Sequence, residues 1–523
     1  MTHSRLFALL ALLLSTLLVG CAGLPAQVDR PVSKALVAPA DSPLGSVARK
    51  AGIPDGRSGF WPVVQGSFAL DGRLELIRRA QVSLDLQYYL VANDGTGRLI
   101  LRALRDAAQR GVRVRLLVDD LYTEDMDDLL LGLAAEPNVE IRLFNPFGFG
   151  RSSGALRLVG LLTDFRRLNH RMHNKLFVAD GSVAIAGGRN LADEYFFRSK
   201  FANFIDFDLL ITGSVVSQLE GLFDEYWNSD QVYPVNAVTH NGLEPEQQRA
   251  SFDRLTSPAS TPLPEPVGAL DLMGGPALAK QFESEQFRFV TGDATAFADR
   301  PDKRNAGQLA AQDSATRRAV SYMREAKEGG EVIIISPYFI PGKVGMANLK
   351  EAREHKVRFF IITNSFAASD EPLVSVGYDR YRSDMLRMGI QLFEISSTRL
   401  KRDAHINKIL GVSSGRLHAK LAIVDRELFI VGSTNMDPRS VALNTEIAVA
   451  VRGREITQLV AKAFYVDESP GVYEVHLQPD GKSLQWVGRN DDGEDRLDDE
   501  PDAAWLQRVK LFFLSLFVPE DLL

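Results

Sequence analysis

Two short stretches of the sequence carry the same polar residues at the same spacing. HNKLFVAD occupies residues 173–180 and HAKLAIVD occupies residues 418–425, and each is followed by an asparagine after the same interval. The matched residues are His173, Lys175, Asp180 and Asn190 in the first copy and His418, Lys420, Asp425 and Asn435 in the second.

An imidazole, an ammonium and an amide held together suit the transfer of a phosphoryl group. A neutral histidine can attack phosphorus and form a covalent intermediate. A second, protonated histidine can donate its proton to the leaving oxygen and later accept one from the incoming group. Lysine and asparagine side chains can bind the non-bridging oxygens and stabilise the charge that spreads over them. Two facing copies of the motif would therefore supply a complete set of groups.

The chemistry described above does not require a metal ion. The sequence has no acidic or Cys/His cluster with the spacing of a metal site, so we expect neither a metal nor another cofactor. His170 lies an odd number of residues from His173, so we expect it to face away from the motif toward the surface. The other histidines, interpreted as structural or solvated, are His3, His240, His355, His405 and His476.

Each motif is rich in β-branched and apolar residues and is therefore predicted to form a strand. Alternate residues of a strand point to one face, so His173 and Lys175 should project together, as should His418 and Lys420. A second strand, VAIAGGRN in the first copy and LFIVGSTN in the second, should return its asparagine near the same end.

A strand, a helix and a second strand precede each motif. VSLDLQYYL, GTGRLILRALRDAAQRG and VRVRLLVDD have this order in the first half, and EVIIISPYFI, ANLKEAREHK and VRFFIITNS repeat it in the second. Such crossover units indicate an α/β fold, and their repetition indicates two copies of one domain. The predicted boundaries are a signal peptide at 1–20, a tether with little structure at 21–58, a first domain at 59–235, a connector at 236–285, a second domain at 286–470, and a C-terminal extension with an apolar segment at 471–523.

The N-terminal residues predict export and a lipid anchor. An apolar run from Leu6 to Val19 suits the core of a signal peptide and is too short for a comfortable membrane span. The run leads into LVGC, which ends at Cys21, the only cysteine of the chain, and this stretch resembles a bacterial lipobox in which Cys21 is acylated. A plain secretory signal is the alternative. Ala22 after the cysteine favours the outer membrane over the inner membrane of a bacterial envelope.

Charge and the C-terminal residues bear on possible partners. The chain of 523 residues has a net charge of −7 and a pI of about 5.8, which does not favour a general nucleic-acid binder. Near the C-terminus, WLQRVKLFFLSLF is strongly apolar with two cations. It is interpreted either as a helix docked on the core or as an interfacial helix lying on lipid.

The doubled pattern H-x-K-x(4)-D, each time followed by G-[SG]-x-N, resembles the phospholipase D superfamily. The resemblance covers both halves, roughly residues 60 to 465, and the wording GGRNLADEYF is similar to the cardiolipin synthase C branch. It implies an α/β fold of two similar phospholipase D-type domains, packed about a pseudo-twofold axis, with mixed sheets flanked by helices.

The resemblance also implies roles for individual residues. His173 would be the nucleophile that becomes phosphohistidine and His418 the general acid and base, although the sequence leaves their order open. Gly188 stands where many relatives carry serine, which should weaken one phosphate contact. Asp180 and Asp425, which complete the catalytic motifs, would tie strand ends, and Asp208 and Glu446 would orient the histidines. The residues that would bind the phosphate are Lys175, Asn190, Lys420, Ser433 and Asn435.

The function implied is phosphatidyl transfer on membrane phospholipids, as in a cardiolipin synthase. A hydrolytic phospholipase D, a nuclease-type phosphodiesterase and a non-enzymatic envelope scaffold remain as alternatives, because the motif fixes the reaction and not the substrate. We expect phospholipid substrates and association with a membrane, no nucleic acid, and no obligate protein partner.

Overall fold

The structure, a computed structural model, consists of two α/β halves joined by one continuous sheet. It describes residues 23–25, 27–304, 314–402, 410, 412–464, 469–490, 493–503, 509 and 513. The first-half strands are β1 (Ser58–Val63), β2 (Ser83–Tyr88), β3 (Arg113–Asp119), β4 (Val139–Phe144), β5 (Lys175–Ala179), β6 (Val183–Gly187), β7 (Ala202–Ile205), β8 (Asp208–Gly213) and β9 (Val232–Pro234). The strands of the second half are β10 (Val290–Ala298), β11 (Glu331–Ile335), β12 (Arg358–Asn364), β13 (Gln391–Ile395), β14 (Ser414–Leu417), β15 (Leu421–Val424), β16 (Leu428–Gly432), β17 (Ile447–Arg452), β18 (Val472–Leu477), β19 (Leu484–Asn490) and β20 (Gly493–Leu497).

The strand order repeats between the halves. In the first half the order is β4-β3-β2-β5-β6-β8-β1, and in the second it is β13-β12-β11-β15-β16-β17-β10. In each half the first three strands of this order are parallel and the others antiparallel. The equivalent strands β1 and β10 pair antiparallel across the junction, as a pseudo-twofold axis requires. The predicted mixed α/β fold with two similar domains is confirmed.

Helices cover the faces of the sheet. The predicted helix in GTGRLILRALRDAAQRG runs from Gly95 to Gln109, with the Asp94 carboxylate capping the amide of Gly97 and Gly111 following at φ 96°. The other first-half helices are Val47–Lys50, Gly66–Arg79, Asp127–Ala134, Gly154–Thr163, Phe165–Leu168, Val215–Trp227, Val235–Val238, Pro245–Leu255 and Leu278–Ser284. Those of the second half are Ala315–Met323, Gly342–Glu354, Pro372–Arg387, Ser397–Leu400, Pro438–Ala442 and Arg454–Ala463, and short 3₁₀ turns occupy Asp120–Tyr122, Asp193–Phe196 and Phe366–Ala368.

The two halves share an apolar core. One cluster of buried residues includes Leu176 and Ile211 from the first half and Leu421 and Val449 from the second. Because both halves bury side chains in the same cluster, their sheets are held face against face.

Two short parallel pairings cross between the halves beside this core. β7 pairs with β14, and an isolated bridge joins Met172 to Thr445 in the same parallel sense. These pairings end at the residues just before the two motif histidines. They therefore hold each motif against the opposite half.

Three predicted boundary segments differ from the structure. The predicted tether lies along the first domain from Pro31 to Ala38, where Arg142 Nη2 donates to Pro31 O at 2.7 Å and Ala38 N donates to Asp180 O at 2.9 Å. The connector contains two helices. After residue 471, β18 pairs with β13, β19 with β18 and β20 with β19, so this segment extends the second sheet.

In the part of the chain that the structure describes, no helix has both the length and the apolar character needed to span a membrane. The signal peptide, Cys21 and nearly all of the apolar C-terminal segment lie outside the described residues.

Candidate active site

His173 is held by the opposite half of the molecule. Its backbone N–H donates to Thr445 O at 2.9 Å, and its Nδ1 lies 3.0 Å from Glu446 Oε2 and 3.1 Å from Oε1. The ring of Tyr89 meets the imidazole edge-on with centroids 5.0 Å apart. The histidine is only 7% exposed, so its position is fixed on every side but one.

His418 repeats this arrangement in the other direction. Its backbone N–H donates to Ile205 O at 2.8 Å, and its Nδ1 lies 2.6 Å from Asp206 Oδ2. Tyr195 packs edge-on against the ring at 5.1 Å, and Phe204 lies at 4.8 Å. Each histidine therefore takes its carboxylate partner from the half to which it does not belong.

The pairing of each Nδ1 with a carboxylate of the opposite half determines which ring nitrogen can react. A carboxylate at Nδ1 accepts the N–H of the neutral imidazole and leaves the lone pair on Nε2. The two Nε2 atoms are the ring nitrogens left for chemistry. The arrangement thus presents two oriented imidazoles at one seam between the halves.

Asp208 was predicted to orient a histidine, and that prediction is wrong. Its carboxylate lies 2.8 Å from Arg73 Nη2 and 3.3 Å from Arg189 Nη1, within the core of the first half. The strand register explains the exchange, because Asp208 pairs with Gly187 whereas Ala448 pairs with Gly432. The counterpart of Glu446 is therefore Asp206, two residues earlier.

The two motif lysines lie beside the imidazoles. Lys175 and Lys420 each donate from Nζ to the backbone carbonyl of their own motif histidine at 2.6 Å. Both are almost fully buried, and aromatic rings lie under the ammonium groups, at 5.0 Å for Tyr89 and 6.0 Å for Tyr338. The two lysine side chains thus lie in the buried seam beside the motif histidines, and burial lowers the pKa of both.

Comparison with known proteins places this arrangement in a family. A family model described as "Cardiolipin synthase, PLD-like domain" matches residues 74–227 and again residues 320–467. Cardiolipin synthase C of Escherichia coli (strain K12) is 36% identical over 478 residues, which cover 90% of this chain and 97% of that protein. The chain belongs to the cardiolipin synthase family of phospholipase D-like proteins. It is a phosphatidyltransferase of the phospholipase D superfamily, as the doubled motif predicted.

Further relatives of this cardiolipin synthase-family protein agree with that assignment. A cardiolipin synthase of Staphylococcus aureus (strain Mu50 / ATCC 700699) is 26% identical over 77% of this chain and 65% of its own length. Among solved structures, the phosphatidylserine synthase of Haemophilus influenzae Rd KW20 covers 90% of this chain and 97% of its own with a TM-score of 0.54. At 13% identity that likeness shows the fold alone.

Burial and charge set the protonation of the two histidines in this family member. Burial lowers the pKa of His173 well below its usual range, and the nearby charges of Lys175, Lys420 and His418 add to the effect. Burial also lowers the pKa of His418, but there the carboxylate of Asp206 opposes the shift. His173 is therefore the better candidate for a neutral base, and His418 for the ring that carries a proton.

The two carboxylates behave differently. Burial by itself would raise the pKa of Asp206, but the charge of His418 and the hydrogen bond to it hold that pKa well below its usual range. Burial raises the pKa of Glu446 to about 7, against the opposing charge of Lys175. Asp206 is thus held in its ionised form beside His418, whereas Glu446 has a pKa of about 7 beside His173.

Ser433 is hydrogen-bonded to Glu446. Its Oγ donates to Glu446 Oε2 and accepts from Ile447 N at 3.1 Å, and Ser440 Oγ donates to the other carboxylate oxygen at 3.0 Å. Its one proton is directed to Glu446 in this structure, and its predicted role in phosphate binding stays a prediction.

There is no room for a side chain at Gly188, the counterpart of Ser433. A Cβ built there would lie 2.1 Å from Asp206 Oδ1. Aspartate is shorter than glutamate, so its carboxylate sits where the serine side chain would be. The close approach of Asp206 explains why glycine suits position 188. The predicted effect on a phosphate contact stays a prediction.

The two motif asparagines differ from each other. Asn190 Nδ2 donates to the Tyr195 hydroxyl at 2.8 Å and its Oδ1 accepts from Leu90 N at 3.3 Å. Asn435 is 3% exposed, and its Oδ1 has no hydrogen-bond partner within the described ranges. That oxygen is an acceptor and cannot bind a phosphate oxygen, so a phosphate contact at Asn435 would have to come from its Nδ2 amide.

Asp180 and Asp425 lie at the far end of the motif strands from the histidines. The carboxylate of Asp180 accepts from the backbone N–H groups of Gln81, Val82 and Ser83, at 3.0, 2.7 and 3.0 Å respectively. Asp425 accepts from the N–H of Lys327 at 2.9 Å and of Glu331 at 2.8 Å. Both aspartates tie strand ends together and make no contact with the seam.

Sequence reasoning missed or misplaced several residues. His170, expected to be exposed, is buried at the junction of the halves, with Nδ1 2.7 Å from Leu443 O and Nε2 3.0 Å from Pro301 O. It lies outside any strand, so the alternation rule did not apply to it. Asp206 lies two residues before β8, and a comparison of DFDLLI with NTEIAV does not single it out over Asp208 without the strand register. Nothing in the sequence identifies Tyr89 as a neighbour of His173.

Proposed function

We propose that this protein moves the phosphatidyl group of one membrane phospholipid to another through a phosphohistidine on His173. The observation that carries the proposal is the crossed pairing of each imidazole with a carboxylate of the other half. It orients both imidazoles at a single seam, where His173 would be the neutral ring and His418, whose pKa the Asp206 carboxylate raises against burial, would be the protonated one. The name cardiolipin synthase, carried by relatives over most of the chain, supports lipids as substrates.

In the first step, His173 Nε2 attacks the phosphorus of the donor lipid. A bond from Nε2 to phosphorus forms as the bond from phosphorus to the head-group oxygen breaks. His418 gives its proton to that oxygen, and the head-group alcohol leaves. The depressed pKa of His173 supports its role as the nucleophile, since the ring must be unprotonated to attack.

In the second step, an acceptor alcohol takes the phosphatidyl group. His418, now neutral, accepts the proton of the hydroxyl as its oxygen attacks phosphorus and the bond to His173 breaks. With phosphatidylglycerol or a similar lipid alcohol as acceptor, the product is cardiolipin. Both histidines return to their starting protonation, so no further reactant is required.

Charge on the phosphate is balanced by the buried cations. Lys175 and Lys420 would hold non-bridging oxygens as negative charge spreads over them, and Asn435 would add an amide contact. In a buried site such interactions are stronger than in water. The depressed pKa of both lysines reflects the same burial, and the pKa of Lys420 is about 8, so an arriving phosphate diester would favour its charged form.

Transfer is favoured over hydrolysis by the limited access of water. His173 and His418 are each less than a tenth exposed and are framed by the rings of Tyr89, Tyr195 and Phe204. A covalent intermediate in such a site is protected from water until an alcohol arrives.

We also propose that Cys21 is acylated and anchors the enzyme in the bacterial envelope, with the outer membrane favoured over the inner. Two or more acyl chains at one residue give a stable hold on a bilayer. An anchor of this kind would keep the seam close to its lipid substrates.

Purified protein incubated with phosphatidylethanolamine and labelled phosphatidylglycerol provides the test. Cardiolipin as the labelled product is expected for the wild type and for His240→Ala, an exposed-histidine control, and no product is expected for His173→Ala. Phosphatidic acid alone would instead identify a hydrolase. Absence of both products across several pH values and detergents would overturn the lipid substrate.

A further inference from the structure

The helix Gly154–Thr163 is oriented opposite to an ordinary surface helix. Its sequence is GALRLVGLLT, and the residues it buries are Arg157 and Gly160. Its leucines face outward, with Leu158 58% exposed and Leu162 77% exposed. The outward apolar residues of this helix and the turn after it, which we call the apolar face, are Leu156, Leu158, Val159, Leu162 and Phe165.

Polar contacts hold the helix in this orientation. Arg157 donates from Nη1 to the backbone carbonyls of Asp120 and Leu121 at 2.8 and 2.7 Å, and its guanidinium lies 4.7 Å from the centre of the Phe147 ring. At Gly160 an added Cβ would already touch the same ring, at 3.4 Å. Arg157 and Gly160 thus pack against the protein, and the exposed leucines can contact another surface.

The apolar face lies beside the nucleophile. The carbonyls that hold Arg157 belong to the turn that ends in Tyr122, whose ring meets Tyr89 edge-on at 5.3 Å. Tyr89 in turn packs edge-on against His173 at 5.0 Å. Along the chain, only the short helix Phe165–Leu168 and a few residues separate this helix from His173.

The pseudo-equivalent segment before His418 presents a similar surface. Val412 and Phe201 are among the most exposed apolar residues, and Ser414 N donates to Phe201 O at 2.9 Å, which places them together. Lys200, which precedes Phe201 in the chain, is exposed, as is Arg166 after Phe165. Apolar residues flanked by cations thus lie on both sides of the seam.

We propose that the apolar face inserts into the interfacial layer of a phospholipid bilayer, with Phe201 and Val412 entering on the other side of the seam. The flanking cations would meet anionic head groups, and the apolar side chains would reach the boundary of the acyl chains. A donor lipid could then bring its phosphate to His173 while its acyl chains stay in the bilayer. This inference rests on the proposed lipid substrate.

A reporter placed on the apolar face tests the insertion. Since Cys21 is the only cysteine, the full chain with Cys21→Ser and Leu162→Cys can carry one environment-sensitive dye. The matched control is Val32→Cys, which is 75% exposed in the N-terminal segment that lies at the opposite strand ends. Vesicles of phosphatidylglycerol and phosphatidylcholine should shift the emission to the blue at 162 and leave it unchanged at 32, and brominated acyl chains should quench only the dye at 162.

Two results would overturn the proposal. One is an unchanged emission at 162 in the presence of vesicles that bind the protein. The other is a shift that depends on protein concentration without vesicles, since the face would then be an interface with a second copy of the chain.

Activity gives a second readout. For Leu158→Ser/Leu162→Ser, the ratio of turnover on vesicle phosphatidylglycerol to hydrolysis of soluble bis(p-nitrophenyl) phosphate should fall at least about tenfold. The control Val32→Ser/Val37→Ser should keep the wild-type ratio. An unchanged ratio in the active double variant would overturn this inference alone. A wild type inactive on both substrates would instead overturn the proposed function, and the dye measurement would still decide whether the face binds lipid.

Discussion

The Nδ1 of His418 lies 2.6 Å from the Oδ2 of Asp206, although the two residues are 212 positions apart and belong to different halves of the molecule. His173 and Glu446 form the same kind of pair in the reverse direction. Neither half therefore contains a complete set of the proposed catalytic groups. Any change that separates the halves should abolish activity even when both remain folded.

Replacing Asp206 should change the pH dependence of turnover. The carboxylate raises the pKa of His418 against the effect of burial, so Asp206→Asn should lower that pKa further. The imidazolium would then exist only at lower pH, the alkaline limb of the pH–rate profile should move to lower pH, and the rate at pH 7 should fall on the order of 10²-fold.

Asp208→Asn is the matched control for this prediction. Because Asp208 pairs with Arg73 and Arg189, the substitution should lower the melting temperature and leave the alkaline limb in place. Equal shifts of the limb in both variants would show that Asp206 has no special relation to His418.

Introducing the serine that many relatives carry at position 188 should harm the enzyme. In Gly188→Ser the new Cβ would lie 2.1 Å from Asp206 Oδ1 and displace that carboxylate from His418. We expect kcat to fall by about tenfold or more, the loss of one hydrogen bond to a charged group. A variant with higher activity would mean that a hydroxyl at 188 binds phosphate after all.

Ser433→Ala should act on the other carboxylate. The serine hydrogen bond lowers the pKa of Glu446, which burial raises to about 7, so its removal should raise that pKa further and weaken the support of His173. We expect kcat to fall by about tenfold at pH 7. Ser182→Ala, at the far end of the strands, should have no effect on kcat, and a similar loss in both variants would contradict the assignment.

Much of this site could be predicted from the sequence. The repeated motif correctly indicated two similar domains. The observed strand is shorter than the motif, because β5 begins at Lys175 and leaves His173 just before it, and both His418 and Lys420 lie just before β15. Asp208 was mistaken for Asp206 because DFD offers two acids on one face of a strand, and only the register with β6 decides between them. Register depends on long-range pairing, which spacing along one strand does not reveal.

Other features depended on contacts between distant segments. His170 is buried because the chain before β5 passes between the halves, and β7 pairs with β14 across 212 residues of sequence. The outward leucines of Gly154–Thr163 follow a helical period that is compatible with either orientation. Only the position of Arg157 against Asp120 and Leu121 shows which side faces the protein.

The aspartates that end the motifs should matter for stability rather than for chemistry. Three backbone N–H groups donate to Asp180 Oδ1, and Asp180→Asn removes the negative charge and one of the two acceptor oxygens there. It should lower the free energy of unfolding by about 1–3 kcal/mol. Chemical denaturation measures this loss, with the exposed Asp41→Asn as control. Turnover per folded molecule well below the transition should stay at the wild-type value, and a fall in kcat without a loss of stability would place Asp180 in the reaction.

Glu220 should make stability depend on pH. Burial, with Asp85 and Asp224 nearby, raises its pKa to about 7, so between its unfolded pKa and pH 7 the folded state binds more protons. Stability should therefore fall as the pH rises through that window. Glu220→Gln should raise the melting temperature at pH 8 and not at pH 4, whereas the exposed Glu246→Gln should change neither. An identical pH dependence in Glu220→Gln and wild type would show that Glu220 is not responsible.

Trapping the covalent intermediate tests most directly whether His173 is the nucleophile and His418 the general acid and base. Wild-type protein mixed with radiolabelled phosphatidylglycerol, quenched in base within the turnover time and digested for mass spectrometry, should carry an acid-labile phosphatidyl adduct on His173. His418→Ala should slow both formation and breakdown of that adduct, and His173→Ala should carry none. An adduct on His418, or steady turnover to cardiolipin with neither histidine modified at any quench time, would contradict the mechanism.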